Sequence, residues 1–209
     1  MWFRRDLRVT DNPALLSAVE DAKATGQKIL ALYILGPRTW SAMSPVQQHY
    51  LVASLRSLDK SLGGNLVFKF ADARELLPQL VSQLGSKVVH AAQLHTPNAM
   101  ARDAVVESRL NELGCELKFT GSAYAVAPGR VTKDDGTFYK VYTPFYKNWL
   151  KHGWRLPAPG IESDQNWVSE IESDEFPVLQ ELTDYEFPIA GESAALSKWE
   201  HFKRTALAD

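Results

Sequence analysis

Trp2-Phe3-Arg4-Arg5-Asp6-Leu7-Arg8-Val9-Thr10-Asp11-Asn12-Pro13-Ala14-Leu15 joins two aromatic residues to a turn crowded with three arginines and two aspartates, then to a helix start. Asn12 is the expected N-cap and Pro13 fits the first helical position. Ala14, Leu15, Ala18, Val19 and Ala22 then recur on one helical face. The stretch therefore reads as strand, turn and helix. The turn has no glycine, so neither the G-x-G-x-x-G dinucleotide turn nor a P-loop is present. Its charged side chains can brace the loop through paired hydrogen bonds. Only Met1–Phe3 precede the charges, which is short for a central strand. Either the start of the chain is trimmed or this strand is very short.

The same alternation continues outward. Ile29–Leu35, Leu66–Phe70, Lys87–Ala92 and Glu116–Phe119 are short apolar runs of the kind that form buried strands. Between them lie helical patterns. Ser44-Pro45-Val46-Gln47 predicts a capping box opening a helix with Leu51, Leu55, Leu58 and Leu62 on one face. Asp72–Leu84 and Pro97–Leu113 are the next helices, stopped by Gly85 and Gly114. Strands alternating with helices predict parallel β-α-β units with right-handed crossovers. Gly121–Gly136 reads as loop and the second half of Tyr139–Trp154 as helix. Leu156–Ala190 is acidic, holds no Lys or Arg, and reads as a long solvated connection. A new amphipathic helix begins after Gly191, with Trp199 and Phe202 calling for something to pack against.

Bulk properties narrow the function. The chain has 209 residues, 45% of them hydrophobic, and a formal net charge of -2, which does not advertise a nucleic-acid surface. No apolar run approaches membrane-spanning length. Cys115 is the single cysteine, so no intrachain disulfide is possible, and a cytoplasmic setting is expected. The histidines are scattered, without metal-ligand spacing, and no G-x-S-x-G nucleophile elbow is present.

The block W-F-R-R-D-L-R-x-x-D-N-x-A-L resembles the N-terminal signature of the DNA photolyase/cryptochrome family. The resemblance continues through Ala31-Leu32-Tyr33-Ile34, Met43-Ser44-Pro45, Ala101-Arg102-Asp103, Tyr139–Phe145 and Lys147-Asn148-Trp149-Leu150. It is closest to bacterial cyclobutane-dimer photolyases with a folate antenna. It implies a Rossmann-like, doubly wound α/β domain with a five-stranded parallel sheet ordered 3-2-1-4-5, followed by a C-terminal linker. The implied organisation is an antenna-chromophore domain over residues 1–125, an interdomain segment and acidic linker over 126–190, and the start of a truncated helical FAD domain over 191–209.

In a sheet of that order the strand direction switches between strands 1 and 4, where ligands favour the crevice beyond the strands' carboxyl ends. The loops there are Arg4–Asp11, Gln93–Pro97 and Leu35–Met43. The resemblance makes Asn98, Met43, Trp40 and Arg8 candidates for holding the antenna chromophore. Asn98 can instead bond local backbone as a helix-start residue, and Met43 and Trp40 can serve core or interface packing. Folate-binding members typically have an Asn-Glu pair where this chain has Asn98-Ala99. Losing that buried acceptor weakens folate by about 1–3 kcal/mol, so the antenna is methenyltetrahydrofolate, a deazaflavin or flavin, or absent.

For the intact protein the resemblance implies a carbon–carbon lyase. Its antenna passes light energy to reduced FAD, and the flavin donates an electron to a pyrimidine dimer in DNA. FAD and the lesion belong to the later domain, so the expected partners are that missing FAD domain and, through it, damaged DNA. No catalytic residue is expected in this chain, and the chain alone is expected to be inactive. A cryptochrome-type photoreceptor is the alternative. A free-standing nucleotide-binding domain is a third reading, which the exposed face of the last helix argues against. Tyr142, Phe145, Trp149 and Trp154 are read as interdomain packing or as a base-stacking surface for single strands.

Overall fold

The computed structural model describes residues 1–162, 164–183 and 185–207. Strand β1 (Trp2–Phe3) is followed by α1 (Pro13–Thr25), β2 (Ala31–Ile34), α2 (Pro37–Ser41), α3 (Pro45–Ser61), β3 (Leu66–Lys69) and α4 (Ala73–Leu84). Then come β4 (Val88–Gln93), α5 (Pro97–Glu112), β5 (Glu116–Ser122), α6 (Tyr142–His152) and α7 (Glu192–Ala206). Every pairing is parallel, with Trp2 opposite Leu32, Leu32 opposite Val67 and Val88 opposite Glu116.

Alternate strand residues feed two cores, as the two-residue period of a strand requires. Phe3, Tyr33 and Phe68 pack with Leu15, Val19, Leu55 and Leu58 from α1 and α3. Trp2, Leu32 and Val67 pack with Leu77, Val81, Val106 and Leu110 from α4 and α5. Both faces are thus covered by helices, as a parallel sheet demands.

The local signals behave as their chemistry predicts. Asn12 accepts the Leu15 N–H, and the Ser44–Gln47 capping box forms with both its bonds. Pro78 lies inside α4, where it cannot donate to the carbonyl one turn back. That carbonyl belongs to Arg74, and Arg109 Nη1 from α5 donates to it at 2.8 Å.

The expected single five-stranded sheet is divided. Hydrogen bonds group the strands as β1-β2-β3 and β4-β5, and β1 lies beside β4 with no ladder joining them among the described residues. The reason is the two-residue β1, which ends where Arg4 turns inward. Side chains bridge the seam. Arg4 Nη1 bonds Asp103 Oδ2 of α5 at 2.5 Å, and its Nη2 donates to the Ala92 carbonyl of β4.

Among its described residues the acidic segment Leu156–Ala190 has no helix or strand, and it is bound to the domain rather than free. Trp167 pairs with Ile29, and the Asp174 carboxylate accepts the Phe70 N–H at 2.9 Å on the exposed edge of β3. Glu162, Glu170 and Asp174 reach Lys23, Lys28 and Lys69. This strap covers an edge that would otherwise invite intermolecular pairing. No helix among the described residues is long and apolar enough to cross a membrane.

Two outcomes follow from the seam. Arg4→Met leaves Asp103 Oδ2 buried without its donor while Arg102 still holds Oδ1, and is expected to lower the unfolding free energy by about 1–3 kcal/mol in urea titrations; no measurable loss contradicts the bridging role. His90 of β4 is buried, and desolvation, joined by the nearby Met1 amine, pushes its imidazole down to about 4 from 6.5 against the pull of Asp21. The unfolded chain binds the proton first, so this contribution is complete above about 6.5 and is lost as pH falls toward 4. The Met1 amine, pushed down to about 5 by burial, acts with the same sign between pH 5 and 8. Urea midpoints should therefore fall on acidification, and His90→Gln should flatten the slope between pH 4 and 6.5.

Candidate functional site

Three loops meet at the carboxyl ends of β1, β2 and β4. The first is stiffened from within. The Arg4 N–H donates to Asp6 Oδ1 at 2.9 Å, and Asn12 Nδ2 donates to the Asp6 and Arg8 carbonyls at 3.2 and 3.0 Å. Arg8 donates from Nε and Nη2 to the Asp11 carbonyl at 3.1 and 2.8 Å. Asp11 holds a positive φ of 46°, a conformation short polar side chains tolerate. Its Oδ1 accepts Arg155 Nη1 at 2.5 Å and the Ala158 N–H at 2.9 Å. Partial burial opposes ionisation there, yet the Arg155 bond keeps this carboxyl below the ordinary range. The Glu192 carboxylate at the start of α7 accepts the Val9 and Thr10 N–H groups at 2.8 and 3.0 Å, and the Thr10 hydroxyl as well. The charged turn is therefore a clasp for the later chain.

The second loop carries α2. Trp40 is half-buried against the core, and its carbonyl accepts Met43 N–H and Gln48 Nε2, both at 3.1 Å. Met43 lines an open cleft of about 540 Å³ with Leu7, Tyr50, Leu51 and Phe187. Phe187 stacks on the His49 ring at 4.7 Å.

The third loop opens α5. Thr96 is the N-cap residue but makes no side-chain capping bond, so the first N–H groups of α5 keep their donors. Asn98 is exposed, and its amide has no partner among the described residues. Ala99 is buried at 8% exposure, so no carboxylate stands beside Asn98 there. His95 rests edge-on to Tyr124 at 5.8 Å, and its buried Nε2 has no hydrogen-bond partner. Arg102 lies one turn beyond Asn98 on the same helical face. It sits over the Trp2 ring at 4.8 Å and bonds Asp103 Oδ1. Burial pushes the Tyr33 phenol up to about 12, so it stays protonated beneath this edge.

The four candidates are not gathered into one cleft. Met43 faces the Leu7 cleft, Trp40 faces the core, Arg8 closes its own loop, and Asn98 stands apart with free bonding capacity. Sequence reasoning passed over His95, Tyr124, Arg102 and Glu192. The Asn98–Arg102 spacing was a readable signal; the clasp by Glu192 crosses nearly the whole chain and had none. Among the described residues no group of His, Cys, Asp and Glu is placed to hold a metal ion.

With the fold and this edge defined, comparison with known proteins gives the class. The DNA photolyase family model matches residues 1–162. The chain belongs to the DNA photolyase family. A deoxyribodipyrimidine photo-lyase of Agrobacterium fabrum is 29% identical over 219 residues, covering 99% of this chain and 45% of that protein. The crystal structure of a bacterial class III photolyase from Agrobacterium tumefaciens superposes with a TM-score of 0.83 at 29% identity, covering 99% of this chain and 44% of that one. An archaeal photolyase from Sulfolobus tokodaii, described with two FAD molecules and a novel light-harvesting cofactor, shares the fold at TM-score 0.62 and 23% identity, covering 76% and 36% of the two chains. The present chain spans less than half the length of these relatives.

The clasp can be tested apart from any ligand. Glu192→Gln should speed amide exchange at Val9 and Thr10 about tenfold while moving the urea midpoint little, because the bonds it weakens lie at the surface. Unchanged exchange at both amides would show that α7 does not hold the loop.

Proposed function

We propose that this chain is the light-harvesting domain of a deoxyribodipyrimidine photolyase. The observation that carries the reading is a rigid parallel α/β scaffold whose outlying helices leave aromatic faces uncovered. On α6 the rings of Tyr142, Tyr146 and Trp149 stack in sequence, with Trp154 next at 5.0 Å from Trp149. On α7, Trp199 and Phe202 are about half exposed, at 50% and 45%. Contiguous aromatic faces of this size mark a partner surface, and a helical FAD domain is the partner this family supplies. In that reading the domain boundaries fall near residues 125 and 190.

The antenna chromophore sits at the edge formed by the three loops. Asn98, the free N–H groups opening α5 and the orphaned Nε2 of His95 suit a heteroaromatic ring with acceptors along one side. The absence of a carboxylate at Ala99 favours a flavin or deazaflavin over methenyltetrahydrofolate. The group would supply absorption in the near ultraviolet or blue. The chain's own residues orient it and hold that edge at a fixed distance from the second domain, through the Asp11–Arg155 and Glu192 contacts. FAD, damaged DNA and the lyase reaction belong to the second domain, so the chain alone leaves dimers unrepaired. A cryptochrome-type photoreceptor would use the same domain, and repair by the full-length protein separates the two. A cytoplasmic setting agrees with the buried, unpaired Cys115.

Absorption spectra of the purified chain, taken before and after incubation with FMN, FAD, a deazaflavin or a reduced folate, test this directly. A flavin or deazaflavin band should be retained after gel filtration, and Asn98→Ala should weaken retention about tenfold. A band retained only with folate overturns the flavin reading. No band with any ligand, in this chain or in one that includes the second domain, overturns the antenna assignment.

A further inference from the structure

Among the described residues, Trp2 is the one indole in the core that α5 shares with the sheet. It is buried at 2% exposure in the cluster that holds Val106 and Leu110 of α5, whereas Trp40 and Trp167 pack on the opposite core. Two guanidinium groups lie against its ring. Arg4 and Arg102 each place the guanidinium carbon 4.8 Å from the ring centre. Asp103 fixes the pair, accepting from Arg4 at Oδ2 and from Arg102 at Oδ1.

The seam requires Arg4, which reaches β4 and α5 together. It does not require Arg102, which bonds only its own chain neighbour Asp103 in this knot. The Arg102 side chain is 31% exposed, so water is within its reach, yet it folds back over the indole. A cation over an aromatic face is attracted by the electron-rich neutral ring. The same cation repels the positive charge that the ring acquires when it loses an electron, and the repulsion is stronger away from bulk water. Two such cations therefore make Trp2 hard to oxidise. This matters at this place because indole is among the side chains that give up an electron most readily to an excited chromophore. Asn98, which opens the candidate edge, stands one turn before Arg102 on the same helical face.

We propose that Arg4 and Arg102 insulate Trp2 against one-electron oxidation, so that a flavin-type chromophore at the Asn98 edge keeps its excitation instead of losing it to the indole. The inference rests on the antenna reading given above. In the step that is blocked, one electron leaves the Trp2 indole for the excited chromophore. No bond breaks and no proton moves. The indole is left as a radical cation and the chromophore is reduced by one electron; return of that electron restores both and releases the excitation as heat. Energy transfer to a second domain competes with this loss, so a light-harvesting domain gains by closing it. Arg102 acts through Trp2 and needs no contact with the chromophore.

The test tethers a maleimide flavin at Asn98→Cys in a chain that also carries Cys115→Ala, and reads the emission lifetime of the flavin. Tethering places the flavin at the edge whether or not a free chromophore is retained, so failure here is distinguishable from failure of the antenna reading. Arg102→Gln keeps a donor for Asp103 but removes the charge, and should shorten the lifetime at least about threefold. Arg102→Lys should restore most of it. Trp2→Phe should abolish the shortening in the Arg102→Gln chain and change nothing while Arg102 is present. Tyr33 and Tyr124, the other oxidisable rings near this edge, are the same in every version, so the differences report on the indole. An unchanged lifetime in Arg102→Gln overturns the proposal, and so does a shortening that survives Trp2→Phe. A longer lifetime from Trp2→Phe with Arg102 in place also overturns it, since the indole would then be quenching despite both cations.

Discussion

A buried guanidinium joins the two halves of the sheet. Arg4 follows the last residue of β1 and reaches Asp103 on α5 and the Ala92 carbonyl of β4 at once. Its planar fork suits two acceptors in different directions, which a lysine ammonium on a flexible stem cannot match. The group lies 4.8 Å from the Trp2 ring and 5.3 Å from the Phe119 ring, while Arg102 covers Trp2 at 4.8 Å. Aromatic contact and paired hydrogen bonds offset the cost of burying the charge. Desolvation nevertheless lowers the Arg4 pKa, with Asp103 opposing it. Arg4 Nε and Asp6 Oδ2 stay buried without partners, so the knot is not fully satisfied. Where a backbone ladder would tie β1 to β4, side chains do so instead.

That substitution shapes both ends of the seam. At the carboxyl end the chain must turn away from the sheet immediately after Phe3, and the residues that turn it also receive the later chain through Asp11 and Glu192. At the amino end the two-residue β1 leaves β2 and β4 facing each other across an apolar groove. Desolvation of His90 and of the Met1 amine has its origin in the same geometry, since both lie on the wall of that groove.

Much of this was legible in the sequence because it is local. The caps at Asn12 and Ser44, the stop at Gly85 and the four apolar runs each depend on a few neighbouring residues. The five-residue α2 was not legible, since Pro37–Ser41 is too short for a periodic pattern. Nor was the division of the sheet, because periodicity reports that a strand is buried and not which neighbour it bonds. The rescue of Pro78 by Arg109 and the pairing of the acidic segment with lysines connect residues far apart in sequence. The absence of Lys and Arg from that segment was visible; the lysines that Glu162, Glu170 and Asp174 reach lie far away in the sequence. Of the candidate site, Asn98 could be found by position alone, whereas the roles of Arg8 and Trp40 turn on contacts that only the folded chain supplies.

The strap also bears on the proposed antenna role. Energy transfer between two chromophores depends on their separation and mutual angle, so a light-harvesting domain gains nothing from a flexible joint. A free acidic linker would permit one. Here the connection is pinned at Lys23, Lys28 and Lys69, held to β3 through Ser173 and Asp174, and tied to the charged turn through Ala158 and Glu192. Individually exposed ion pairs contribute little, but attachments distributed along one segment remove its freedom jointly. The path from the candidate antenna edge to α7 is therefore short and braced. A second domain docked on the aromatic faces of α6 and α7 would inherit a fixed position relative to Asn98 and His95 without any contact of its own to that edge.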